Sequence, residues 1–254
     1  MRNYSKQPSE KDFIYGLHPM MEALKEGKEF DKILLQKGVH SNAFKELFQA
    51  IRNADIHFQY VPVQKLDRIT RKAHQGVIGF ASLVNYSAVD EVVTSAFEAG
   101  KNPLIIILDK VTDVRNLGAI SRTAECAGAD AIVFPFQNAA QINSDAIKSS
   151  AGALMKIPLC RERNLKETII NLKNSGLRII AATEKTDNLY YKTDFTIPTA
   201  LIMGSEGSGV SEEYLKLADD YVAIPLLGEI KSLNVSNAAS ILIYEAVRQR
   251  LESK

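Results

Sequence analysis

LIIILDKVTDVRNLGAISRTAECAG, residues 104–128, decides the fold. Five apolar residues in a row, rich in β-branched side chains, read as a strand buried on both faces, which is the habit of parallel sheets. Asp109 ends the run, and residues 117–127 then carry a helical pattern that stops at Gly128. Strand, polar loop, helix is the unit from which parallel α/β sheets are built. Working outward, the unit recurs: AIVF at 131–134, helix signals at 144–150 and 165–175, RIIAA at 178–182, ALIM at 200–203, a helical piece at 212–218, YVAI at 221–224, and a long helix over 235–250. The expectation is a parallel sheet flanked by helices.

Upstream the pattern is shorter and more compact. Leu17, Met20, Met21 and Leu24 share a helical face, KILLQ (32–36) reads as a strand, and Ser41 is a good N-cap for a helix presenting Phe44, Leu47, Phe48 and Ile51. IHFQYV (56–61), a helical piece at 63–69, a basic polar turn at 68–76 and the strand VIGFASL (77–83) complete a small α/β domain. Val89, Val92, Val93, Ala96 and Phe97 again have helical spacing, ending at Gly100 before Asn102-Pro103. These signals divide the chain into a domain at 10–85, a linker at 86–101 and a second domain at 102–254.

The 254 residues carry 46% hydrophobic and 24% charged side chains, an ordinary globular composition, with net charge +1. No apolar run approaches the roughly 18 residues of a membrane span, and the polar amino terminus lacks a signal-peptide pattern, so a cytoplasmic protein without membrane partners is expected. Residues 1–85 hold 13 Lys+Arg against 9 Asp+Glu, leaving 18 against 21 for the remainder. The basic front half permits a nucleic-acid-facing module without requiring one. Cys126 and Cys160 lack metal-site or disulfide spacing, so both read as core thiols and no metal site is expected.

Ligands of open parallel sheets sit at the carboxyl ends of strands, so the loops after LIIIL, ALIM and YVAI are the place to look. The first puts Asn116 and Arg122 on the opening turns of a helix, with Gly118 between them allowing another backbone to come close. Arg122 offers a planar, permanently charged fork for a phosphate, or equally a surface ion pair. The second, IMGSEGSGVSEEY (202–214), places Gly204, Gly207 and Gly209 before a helix capped by Ser211. Its GxxGxG spacing is not the GxGxxG of dinucleotide sites, and Glu206 would put a carboxylate where a pyrophosphate lies. A cofactor with cationic groups tolerates Glu206. The third, IPLLGEIKSLNVSNAASILIYEAV (224–247), crowds Ser232, Asn234, Ser236 and Asn237 at a helix start, more polar groups than one N-cap needs.

NLGAISRTA, IMGSEGSGVS and IPLLGEIKSLNVSNAASILIYEA resemble, in order and separation, the three motifs of the SpoU/TrmH methyltransferases within the knotted SPOUT class. They cover residues 104–250. YGLHPMMEAL (15–24) and HQGVIG (74–79) resemble the amino-terminal substrate-binding domain found in the branch that methylates a guanosine of 23S ribosomal RNA, a small α/β fold like that of the kink-turn-binding ribosomal proteins. One departure stands out: the family's first motif usually reads Asp-Pro before the asparagine, where this chain has Asp113, Val114, Arg115 and Asn116, which would leave that loop less rigid.

The resemblance implies a trefoil knot, S-adenosylmethionine as cofactor, a homodimer with the active site near its interface, and ribose 2′-O-methylation of RNA, with no DNA partner. By motif position it implies Asn116, Arg122, Glu206, Ser232 and Asn234 in catalysis, and cofactor contacts at Met203, Gly204, Ile224, Leu226 and Leu233. Arg68, Arg71, Lys72 and His74, in the basic turn of the front domain, are the expected RNA contacts. A transfer RNA methyltransferase shares all three motifs and stays open as an alternative. A non-catalytic ribosome-associated RNA-binding protein would keep the fold while losing the motif residues, which this chain retains. A dinucleotide-dependent oxidoreductase is disfavoured by Glu206 and the glycine spacing.

Overall fold

A computed structural model describes residues 13–54, 56–230 and 232–253. The chain divides after Leu83 into two compact units. The first contains β1 (Phe13–Tyr15), α1 (Leu17–Lys25), β2 (Phe30–Gln36), α2 (Asn42–Asn53), β3 (Phe58–Val61), α3 (Val63–Asp67) and β4 (Val77–Ala81). Its sheet runs β1-β4-β2-β3, with β2 and β3 parallel and β4 antiparallel to both neighbours. β1 carries too few residues for an alternation to show, and it was not legible in the sequence. Successive residues of β2 face opposite sides: Ile33 and Leu35 pack with Met20, Leu47 and Ile51, while Leu34 packs with Val61 and Leu66. Ser41 caps α2 as expected, its hydroxyl accepting from the Phe44 N–H at 3.3 Å.

The second unit contains α4 (Val89–Glu98), β5 (Leu104–Leu108), α5 (Val114–Cys126), β6 (Ala131–Pro135), α6 (Ser144–Ser149), β7 (Leu159–Glu162), α7 (Leu165–Asn174), β8 (Arg178–Ala182), β9 (Thr199–Met203), α8 (Glu212–Leu215), β10 (Asp220–Val222) and α9 (Val235–Glu252). Its sheet runs β10-β8-β9-β5-β6-β7, every pair parallel. β5 lies near the centre, in register with β9 from Leu104 opposite Thr199 to Leu108 opposite Met203. Leu104, Ile106 and Leu108 pack under α5 and α9 against Ile120 and Leu242, and Ile105 and Ile107 pack under α4 and α7 against Val93 and Ile169. Burial on both faces is why this strand has no polar alternation.

The structure corrects two expectations. The stretch 86–101 is not a linker: Val89 and Val93 of α4 are core residues, and the Ser87 N–H donates to the Leu159 carbonyl, so the segment belongs to the second unit. Only Cys160 is a core thiol. Cys126, in the last turn of α5, is exposed. Burial, then the charges of Glu162 and Asp90, push the Cys160 thiol up to about 12. Among the described residues no helix is long and apolar enough to cross a membrane.

Arg250, near the end of α9, donates to four carbonyls: Phe195 at 2.9 Å, Asn102 at 2.7 Å, Pro103 at 3.2 Å and Ile197 at 3.0 Å. The guanidinium supplies enough donors for all four, and α9 is thereby tied to the entries of β5 and β9.

Candidate active site

The second unit brings three loops together at the carboxyl ends of its strands. Helix α5 starts at Asp113, whose side chain accepts from the Arg115 N–H at 2.7 Å and the Asn116 N–H at 3.4 Å. The Arg115 side chain and then these backbone donors hold the Asp113 carboxyl below the usual carboxylate range, so it caps the helix as an anion. Val114 occupies the first helical position, and the cap orders the turn without the family's proline.

After β9 the chain makes a tight hairpin. The Ser205 N–H donates to the Gly209 carbonyl at 3.2 Å and the Gly209 N–H returns to Ser205 at 3.0 Å, with Gly209 in the left-handed region at φ 65°. Gly204 is buried beneath this hairpin: a Cβ there would lie 2.0 Å from the Gly209 carbonyl carbon and 2.1 Å from the Val210 nitrogen. Glu206 projects from the exposed tip.

The third loop leaves β10 at the sheet edge and returns to the middle, because Asn234 meets residues that follow β5 and β9. Two inter-strand spacings separate β10 from β9, about 10 Å. Asn234 is the N-cap of α9, its Oδ1 accepting from the Ser236 N–H at 2.9 Å and the Ser236 hydroxyl at 2.5 Å. With the oxygen committed to the cap, the amide nitrogen must face the other way.

It faces Glu206 and Asn116. Asn116 Nδ2 donates to Glu206 Oε1 at 2.9 Å, Asn234 Nδ2 donates to the same oxygen, and Asn234 Nδ2 also reaches Asn116 Oδ1 at 3.0 Å. Among the described residues the second carboxylate oxygen of Glu206 has no hydrogen-bond partner. The motif helices are also joined directly, Thr123 Oγ1 lying 3.0 Å from Ser240 Oγ.

Not every expected residue joins this trio. Arg122 is exposed, and among the described residues nothing pairs with its guanidinium. Six residues after Asn116, it lies about 9 Å further along α5 and on another face of the helix. Ser232 is exposed and makes no hydrogen bond among the described residues. Met203 and Gly204 are buried, Ile224 is partly buried against the core, and Leu226 and Leu233 are exposed. Leu227 and Ile230 beside them are 99% and 80% exposed. No backbone group from 224 to 230 makes a hydrogen bond among the described residues. Gly118 does permit a close approach, though of Ser149 in α6, whose hydroxyl would sit 1.9 Å from a Cβ. Ser211 heads α8 without a side-chain cap.

Asp109 and Lys110 are site-supporting residues that the sequence reading passed over. Asp109 is 1% exposed, and its carboxylate accepts from the Ser211 N–H at 2.6 Å. Lys110, at φ 56°, donates to the Ser211 hydroxyl at 2.8 Å. Together they tie the end of the hairpin to the end of β5. The visible signal was a carboxylate directly behind five apolar strand residues.

In the first unit Arg68, Arg71 and Lys72 are exposed, with the Lys72 ammonium 6.0 Å from the Tyr15 ring centre. His74 is a correction. It is buried, its Nδ1 accepts from the Gly76 N–H at 3.0 Å, and its Nε2 therefore carries the proton and donates to Asp67 at 3.0 Å. Both ring nitrogens are spent closing the 67–76 turn and none is left for RNA.

Residues 103–244, more than half of the chain, match the SpoU rRNA methylase family. The chain belongs to the SpoU family. Residues 13–87 match the family described as RNA 2′-O ribose methyltransferase substrate binding. A protein of Bacillus subtilis named as a TrmH family tRNA/rRNA methyltransferase is 31% identical over 94% of this chain and 96% of its own length. The crystal structure of the SpoU methyltransferase AviRb from Streptomyces viridochromogenes superposes with TM-score 0.62 at 25% identity, over 96% of this chain and 91% of that one. A structure of AviRb in complex with AdoMet gives TM-score 0.60 at 25% identity over 94% and 90% of the two chains. The TrmH/SpoU tRNA modifying enzyme of A. aeolicus is 31% identical, with TM-score 0.55, over 65% of this chain and 85% of its own. Membership in the SpoU family makes this chain an RNA methyltransferase.

Proposed function

We propose that this SpoU protein uses S-adenosylmethionine to methylate a ribose 2′-hydroxyl of ribosomal RNA, with a guanosine of the 23S molecule as its target. The observation that carries the reading is the trio of Asn116, Glu206 and Asn234, one residue from each loop, closed into a mutual hydrogen-bond set at the carboxyl end of the sheet. The residues fit the cofactor. The unengaged backbone of 224–230, with Leu226 and Leu233 exposed beside it, suits an adenosine moiety, and the negative charge of the Glu206 carboxylate suits a cofactor with a cationic group nearby. Gly204, Met203 and Ile224 would form the floor. When bound, the cofactor supplies an electrophilic methyl group.

The chain's own contribution is positioning and charge. Glu206 Oε2 is the trio's unengaged acceptor and takes the hydrogen bond of the incoming hydroxyl, while Asn116 and Asn234 fix the carboxylate in place. Ser232 lies two residues before Asn234 and positions substrate beside it. A guanidinium keeps its protons in proteins, so Arg122 acts as a clamp on the neighbouring phosphate and a stabiliser of negative charge on the 2′-oxygen, not as a base. Its offset from Asn116 fits a site shared across a homodimer, where Arg122 of one protomer serves the trio of the other. The trefoil knot of the class accompanies this reading, supported by the return of 224–234 across the sheet. Arg68, Arg71 and Lys72 supply phosphate contacts in the first unit.

Transfer of labelled methyl to undermethylated 23S ribosomal RNA, with transfer RNA alongside and Arg122→Ala as control, tests the proposal. Label on a ribosomal ribose 2′-oxygen, lost in the control, supports it. Label on transfer RNA alone changes the target, and absence of cofactor binding overturns the reading.

A further inference from the structure

The first unit carries a groove to which no role has yet been given. It lies where β2 gives way to α2, beside the edge strand β3, and has a volume of about 450 Å³, within the roughly 300–1,000 Å³ of small-ligand sites. Its walls combine the rings of Phe44, Phe48 and Tyr60 with Lys37, His40 and Lys45, and no carboxylate lines it. Phe48 and Tyr60 have ring centres 6.1 Å apart, and Phe58 meets Tyr60 edge-on at 5.8 Å. These contacts hold the Tyr60 ring in place while the residue stays 43% exposed. Lys37 and Lys45 are exposed, and among the described residues neither ammonium has an ion-pair partner.

A fixed, exposed aromatic ring flanked by unpaired cations matches the two demands of a single-stranded nucleic acid: a π-face for a base and positive charge for the adjoining phosphates. A paired base in a duplex offers no free face, and an apolar protein segment gives the two lysines nothing to neutralise. The geometry points to a binding site for an unpaired nucleotide of an RNA strand, its base on Tyr60 and its phosphates beside Lys37 and Lys45. This site rests on the reading that the substrate is RNA. It adjoins the basic turn at 68–76, since Val39 of its lining lies 3.3 Å from where a Cβ of Gly76 would stand, and it gives the first unit a preference for loops over helical RNA.

Fluorescence anisotropy of the full chain with labelled single-stranded U12 and A12 oligoribonucleotides, and with a duplex RNA of equal length, tests it. The single strands should bind more tightly than the duplex. Tyr60→Ala should weaken them about tenfold while Tyr60→Phe does not, since stacking contributes roughly this much per base. Lys37→Gln with Lys45→Gln, both on the surface, should reduce the slope of log affinity against log salt by about 1.4, two phosphates' worth. Duplex bound as tightly as single strand, with Tyr60→Ala indifferent, overturns the site. A double-lysine variant with an unchanged salt slope overturns it too. Methyl transfer assayed in parallel separates the two readings: single-strand binding without any cofactor binding sinks the enzyme and leaves the groove, whereas methylation whose KM for RNA ignores Tyr60→Ala sinks the groove alone.

Discussion

Replacing Gly204 by alanine should inactivate the enzyme through a displacement that can be worked out. The added methyl would stand 2.0 Å from the Gly209 carbonyl carbon and 2.1 Å from the Val210 nitrogen, where ordinary contact begins at 3.4 Å. About 1.4 Å must therefore open. The obstructing atoms are backbone, so no side-chain rotation relieves the clash, and the 205–209 hairpin has to move with Glu206 on its tip. A shift of that size breaks the 2.9 Å bond from Asn116 to Glu206. Overpacking of this kind costs about 1–3 kcal/mol of stability, and an ångström of misplacement at a reacting group costs roughly a hundredfold in rate. Gly207, in the same hairpin, has nothing within 4 Å of its would-be Cβ, so Gly207→Ala is the matched control and should be near wild type. Methyl-transfer rates at saturating RNA, with thermal melts of both variants, make the comparison. A Gly204→Ala enzyme with wild-type rate and melting temperature, or a Gly207→Ala enzyme equally damaged, would refute the reasoning.

Asn116→Asp replaces a donor to Glu206 with a second carboxylate. Its turnover should fall about 10²–10³-fold, as for loss of a preorganised donor, with little change in melting temperature because the group is at the surface; unimpaired turnover would remove the trio from the chemistry. Val114→Pro places proline at the first helical position behind an extended Asp113 (φ −78°, ψ 124°), and should stabilise the chain by about 0.4–1 kcal/mol; a lower denaturation midpoint would mean the turn rejects the family's residue. Near neutral pH a thiol reagent should label one cysteine of the native chain, Cys126, and both once urea is added. Because burial raises the Cys160 thiol from its ordinary 9.0 to about 12, the unfolded chain ionises first, so this residue's contribution to stability is complete below pH 9 and is lost as pH rises from 9 towards 12; a Cys160→Ala variant with the same alkaline decline would contradict that. Arg250→Met takes a donor from four carbonyls and leaves those of Asn102 and Phe195 without one among the described residues, while Thr199 still serves those of Pro103 and Ile197; it should cost about 3 kcal/mol, read as a lower urea midpoint, and an unchanged midpoint would show that water replaces the guanidinium freely.

The second unit was largely legible because its strands are buried on both faces and its helices are amphipathic: the Leu104–Leu108 run, its loop and α5 appear as read. β1 and β7, of 3 and 4 residues, carried no period. The linker reading at 86–101 failed because Asn102-Pro103 breaks the chain locally, whereas membership of a unit is decided by what Val89 and Val93 pack against. Of the site, Asn116, Glu206 and Asn234 were legible through motif position in the family resemblance, but nothing in the sequence said that one carboxylate oxygen would hold both amides, or that Asn234 would also be the N-cap of α9. His74 misled because a basic turn looks solvated in sequence. Its burial depends on Asp67 and Gly76, which close the turn around it. Asp109 was missed for the opposite reason, since a charge at a strand end reads as solvent-facing until its Ser211 partner, 102 residues away, is seen.

The trio also says when this enzyme comes into being. Its members lie 90, 28 and 118 residues apart along the chain, and long loops must close before such contacts can form. During synthesis the sheet strands and the Glu206 hairpin are made before Asn234 and α9, so a nascent chain holds two thirds of the trio with its last member still to come. A chain stopped short of α9 would contain every strand of the sheet yet lack both the proposed site and the helix that covers Leu104, Ile106 and Leu108, and activity would return on folding later than the bulk of the secondary structure.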